Sequence, residues 1–180
     1  IYQNRGKVQE LVESQFGASF PGSTVSEIQL SDLEDYETPE WIQFNLNIPR
    51  LAGAPAGQDN RLVMRPVLFP VNMSRSFAQI PRREHELVLQ YNWTRSRRLE
   101  ITLPPGYQPV QMPEPQNVNT PFGSLKMSCS FQGDKVFFEQ SVVLQVPDLR
   151  IPVTQYENFR EFCAQVDRAE EQAIVLEKTP

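Results

Sequence analysis

The chain has 180 residues, enough for one domain with a sizeable core, and carries 17 Lys and Arg against 22 Asp and Glu for a net charge of −5. The two signs are interspersed, so there is no basic field to draw nucleic acid or anionic lipid, and no apolar run approaches a membrane span. Its 16 Pro against 8 Gly punctuate strands more than helices. The first residues do not form a signal peptide, and a chain opening at Ile1 is expected to be a piece of a longer protein.

In chain order, Val8, Leu11, Val12 and Phe16 recur at helical spacing, which predicts a short helix over Lys7–Phe16 closed at Gly17. Phe20-Pro21-Gly22-Ser23 reads as a turn and Thr24–Leu30 as a strand. An acidic loop runs from Ser31 to Pro39, whose proline allows the Ser31/Glu34 pair at most one helical turn. Trp41–Ile48 is a clear strand, with Ile42, Phe44, Leu46 and Ile48 on one face. After a loop over Leu51–Asn60, a strand over Leu62–Phe69 is broken by Pro66, which argues for an edge or a bulge.

Asn72–Arg83 reads as irregular. His85, Leu87, Leu89, Tyr91 and Trp93 then alternate with polar residues as a long strand, which Thr94-Arg95-Ser96-Arg97 turns back into Leu99, Ile101 and Leu103. Pro104-Pro105-Gly106-Tyr107 closes that hairpin, and the proline-spaced segment Gln108–Phe122 is expected to cross between layers. Leu125, Met127, Cys129 and Phe131 form the next strand, reversed at Gln132-Gly133-Asp134. The return strand sets Val136, Phe138, Gln140, Val142, Leu144 and Val146 on one face. Thr154-Gln155-Tyr156-Glu157 has the form of a capping box, opening a helix whose stripe is Tyr156, Phe159, Phe162, Cys163 and Val166. These elements predict a mainly-β fold. It is an antiparallel β-sandwich with a short N-terminal helix and one C-terminal helix packed on it, forming a single domain over 1–180.

No reaction centre stands out. His85 falls on the apolar phase of its predicted strand and reads as a satisfied or rim histidine. Cys129 and Cys163 sit on apolar phases as small buried hydrophobes, a disulfide between strand and helix being the alternative. Neither has the electropositive or helix-N-terminal setting that activates a thiol, and one His with two distant Cys is no zinc site. Asp32, Glu34, Asp35 and Glu37 are the one candidate calcium cluster, without the glycine or spacing of a known calcium loop. No metal or other cofactor and no catalytic residue is therefore assigned. The remaining candidates are the aromatic and arginine groups Tyr91, Trp93, Arg95 and Arg97, a contact patch for a glycan or protein; Glu84, Glu86 and Glu100 thin its positive field, as a solvated hairpin tip would. Asn72-Met73-Ser74 and Asn92-Trp93-Thr94 match glycosylation sequons, informative only in a secreted eukaryotic chain.

One succession of residues carries a resemblance. Leu103-Pro104-Pro105-Gly106-Tyr107 leads to Pro113-Glu114-Pro115 and Thr120-Pro121-Phe122-Gly123. Arg150-Ile151-Pro152, Tyr156–Phe162, Val166-Asp167-Arg168-Ala169 and Ile174-Val175-Leu176 follow. This resembles the C-terminal β-rich domain of bacterial transglutaminase-like proteins, which carry a domain of unknown function on each side of a transglutaminase core. The family's Cys–His–Asp triad does not transfer, since the only histidine here precedes both cysteines. The resemblance implies a non-enzymatic accessory or scaffold domain, its parent transglutaminase-like or cysteine-protease-like, with residues 1–22 a linker helix from an upstream core. It implies that upstream domain as partner and a periplasmic or cell-surface location. A stand-alone glycan- or protein-binding module is the alternative.

Overall fold

Helix α1 (Arg5–Ser19) continues past Gly17, which does not take the left-handed conformation that would end it. The stop comes at the predicted turn, in which the Ser23 N–H donates to the Phe20 carbonyl at 3.0 Å and Gly22 takes φ +83°. Strands β1 (Thr24–Leu30) and β2 (Ile42–Asn47) pair antiparallel, with a bulge between Ser26 and Gln29 where Glu27 sits at φ 56°. A computed structural model of the chain describes residues 5–31, 41–49 and 51–179, so the acidic cluster Asp32, Glu34, Asp35 and Glu37 lies outside the described residues. The helix and hairpin form a small unit, Ile1–Leu51. Val12 and Val25 are its buried centre, and the Phe16 and Phe44 rings meet edge to face at 5.3 Å.

Ala52–Pro180 is a second, larger unit. Its β3 (Arg61–Met64) stops before Pro66. The segment read as irregular contains a short helix, α2 (Met73–Phe77). The long strand expected from His85 is corrected to the two-residue β4 (Leu87–Val88), after which Leu89 N–H donates to the Leu149 carbonyl. The Asn92 side chain then stands in for a ladder partner, accepting from Val146 N–H at 2.8 Å and donating to the Val146 carbonyl at 3.3 Å. β5 (Trp93–Thr102) runs unbroken through the four residues expected to turn. Arg95 and Arg97 fall on the phase of Trp93, Leu99 and Ile101, Arg95 exposed and Arg97 half-buried, and charge on that phase imitates a turn when only alternation is read.

The chain next crosses between layers as expected: β6 (Tyr107–Gln111) lies in one sheet, while β7 (Gln116–Thr120) lies in another. β8 (Gly123–Gln132) and β9 (Lys135–Leu144) form the predicted hairpin around Gly133-Asp134. β10 (Arg150–Ile151) pairs with β4. α3 (Tyr156–Glu170) begins where predicted, but by a 3-10 turn over Val153–Gln155 with no side-chain cap, so the capping box does not form. β11 (Ile174–Lys178) closes the chain between β3 and β6.

The result is mainly β and antiparallel throughout. A four-stranded sheet in the order β5-β9-β8-β7 turns one face inward, and a three-stranded sheet β3-β11-β6 and α3 share that face. Phe138, Val142, Leu144 and Leu125 pack against Phe159, Phe162, Cys163 and Val166 of the helix. Val136, Ile101 and Phe131 pack against Met64, Ile174 and Leu176 of the smaller sheet. Each such side chain contributes about 1.5–3 kcal/mol by leaving water, so the docked helix is as much core as the sheets.

Candidate functional site

The inward stripe of α3 does not end in a hydrophobe. Glu170, one turn past Val166, is fully buried and accepts from Arg97 Nη1 at 2.7 Å and from the Val71 backbone N–H at 2.6 Å. Arg97 also donates to Gln140 and to the Phe69 carbonyl. One turn earlier, the Asp167 carboxylate accepts from the Met73 N–H at 2.7 Å and the Ser74 N–H at 2.9 Å. Two carboxylates of one helix thus hold the segment from Val71 into α2 by its backbone, and Arg97 adds the Phe69 carbonyl.

The facing segment is held as firmly. Tyr156 donates to the Ile80 carbonyl at 2.7 Å, Arg160 to the Pro81 carbonyl at 3.1 Å, and the Arg83 guanidinium lies 5.5 Å from the Tyr156 ring centroid. β4 is pinned to β10, and Arg150 pairs with Glu86. Between these two fastened segments lie two adjoining hollows of about 470 Å³ and 330 Å³, which share Ser76, Phe77, Tyr91 and Trp93 as walls. Arg83 belongs to the first and Arg95 to the second.

Of the four residues singled out in sequence, the structure brings Tyr91, Trp93 and Arg95 to this groove. Tyr91 is exposed, and Trp93 is half-buried, packed on the main core while still lining both hollows. Arg97 does not join them, because its guanidinium is turned inward onto Glu170. Sequence reading missed Phe77, Ile80 and Arg83. Their signal was faint: they fall in a stretch without periodicity, and only pairing with α3 gives it a shape.

The groups weighed for catalysis lie elsewhere. His85 is exposed on the loop before β4. Both cysteines are free thiols; burial raises the Cys129 pKa, and burial, then the Asp167 carboxylate, pushes Cys163 up to about 12. Such a thiol stays protonated at neutral pH. Among the described residues no cluster of three His, Cys, Asp or Glu side chains is placed to hold a metal ion, and no helix is long and apolar enough to cross a membrane. Asn92, in the second sequon, has its amide engaged with Val146.

Fold and groove together define a mainly-β antiparallel module with a helix docked on its sheet. Residues 60–176 match a family described as a domain of unknown function with a solved structure (DUF3858), and the chain belongs to that family. A solved structure from Parabacteroides distasonis ATCC 8503, named as a "putative protease", is similar in fold, with a TM-score of 0.53 and 13% identity. The match covers 67% of this chain and 24% of that one, so the shared fold spans about a quarter of that protein. No curated protein matches the chain.

Proposed function

We propose that this chain is a non-catalytic accessory module, using the groove beside Tyr91 and Trp93 to hold a protein segment and so to position a catalytic neighbour within a longer protein. The observation that carries this reading is the groove itself: one wall is fastened by the Glu170 and Asp167 carboxylates and the other by Tyr156 and Arg160, while an aromatic side chain stands open to solvent. Preorganised, partly apolar concavities of this kind suit binding, because little order is lost when they fill. The protonated thiols and the surface position of His85 fit a role without bond-making.

The neighbour named as a protease supports a supporting role, since the shared part is a minor share of that chain. A transglutaminase-like parent and a periplasmic or cell-surface location remain part of this proposal, resting on the resemblance in sequence. A stand-alone glycan-binding module is the second reading, favoured by the exposure of Tyr91.

Two measurements test the role. The isolated chain is assayed for thiol-dependent peptide cleavage and amine transfer, and none is expected. Turnover abolished by Cys129→Ser or Cys163→Ser would sink the proposal. The chain is also titrated calorimetrically against the remainder of its parent protein. Binding is expected, weakened about fivefold or more by Tyr91→Ala, as for loss of an aromatic anchor; equal binding by both forms removes the groove from the role.

A further inference from the structure

The groove walls also indicate what fills them, an inference that rests on the binding role proposed above. Ile80, Val88 and Tyr91 are 52%, 55% and 64% exposed, an apolar surface left open on one side of the first hollow. The charged groups on the walls are Arg83 and Arg95, one in each hollow, and no Asp or Glu lines either. Of the nearby carboxylates, Glu86 is already engaged by Arg150 and Glu170 by Arg97, which leaves Glu84 outside the lining. Arg95 has no ion-pair partner among the described residues. In a chain of net charge −5, this groove reverses the prevailing sign.

That chemistry separates two classes of ligand. A neutral glycan offers hydroxyls that both donate and accept, so it can hydrogen-bond the walls but brings no charge to answer two guanidinium groups. The walls supply Gln79 and Gln90 amides but no carboxylate. An acidic peptide with apolar side chains meets both halves of the lining, its hydrophobes on Ile80, Val88 and Tyr91 and its carboxylates on the arginines. We infer that the groove takes an extended acidic–apolar peptide segment of a partner protein, with one carboxylate directed to Arg83 and another to Arg95.

The test is fluorescence polarisation of the whole chain with three labelled probes. They are a short peptide alternating Glu with Leu and Phe, the same peptide with Lys for Glu, and a linear gluco-oligosaccharide. The Glu peptide is expected to bind and the Lys peptide not. Arg95→Glu is expected to weaken the Glu peptide about tenfold, the loss typical of one charge-assisted contact, and to gain binding of the Lys peptide. Tyr91→Ala is expected to weaken it similarly. Both side chains are on the surface, and an unchanged circular dichroism spectrum establishes that the variants fold. The inference is overturned if the Lys peptide binds as well as the Glu peptide, if Arg95→Glu changes nothing, if only the oligosaccharide binds, or if no probe binds. Should it fail while Tyr91→Ala still loosens the hold on the parent protein, the binding role stands without its acidic ligand; loss of both results removes both.

Discussion

At Gly123 the backbone takes φ +146° and a built Cβ stands 1.9 Å from the Val143 carbonyl oxygen, a rigid neighbour. Gly133, at φ +63°, has nothing within 4 Å of the same position. Gly133 is the hairpin glycine read from the sequence, yet it carries only the conformational penalty. We expect Gly133→Ala to cost about 1 kcal/mol and Gly123→Ala about 3 kcal/mol or more, because β8 must part from β9. Urea denaturation of the two variants checks the order, and equal losses would refute the steric argument.

Cys163 gives a pH dependence at the same scale. Its folded pKa, about 12, is raised above that of an unfolded thiol, so the folded state binds the proton more tightly. Below about pH 9 both states hold the proton and stability is flat; from there to about pH 12 it falls, by up to about 1.4 kcal/mol per pH unit. Denaturation at rising alkaline pH, compared with Cys163→Ala, isolates this slope. The variant is expected to be less stable at pH 8, having lost a buried group, but to fall less steeply.

Among elements, the pairing of α3 with β5 depends on two charges that each break a hydrophobic pattern. Arg97 stands on the inward phase of the edge strand, and Glu170 continues the buried stripe of the helix. Each alone would be an unpaired charge in the core; together they satisfy one another and hold the Phe69–Val71 backbone. Removing either partner is therefore expected to cost about 3 kcal/mol. Replacing both by methionine is expected to cost much less than the sum. A double-mutant cycle by chemical denaturation gives the coupling, and strict additivity would contradict it.

At the scale of the molecule, both large apolar clusters and the whole family match fall after Leu51. The unit from Ala52 to Pro180 is accordingly expected to fold without the preceding helix and hairpin, which bury a much smaller centre. Expression of 52–180 alone should give a cooperative urea transition, and a broad, non-cooperative one would show that the division is not a folding boundary. Much of this unit was legible in advance: the β8–β9 hairpin, the stripe of α3 and the layer crossing after Gly106 all follow from alternation, glycine placement and helical period. Three of the four residues proposed for binding do share one groove.

What local order determined by itself was which side of each strand or helix is apolar, because the periods of two and 3.6 are properties of single elements. Which element answers an out-of-phase charge was decided by the tertiary structure. Arg95 and Arg97 look equivalent two residues apart, yet the docking of α3 brings a carboxylate to one and leaves the other facing the groove. The groove arises the same way: its walls all come from residues 71–95, and they take their shape from Asp167, Glu170 and Tyr156 of a helix distant in sequence, which fasten both.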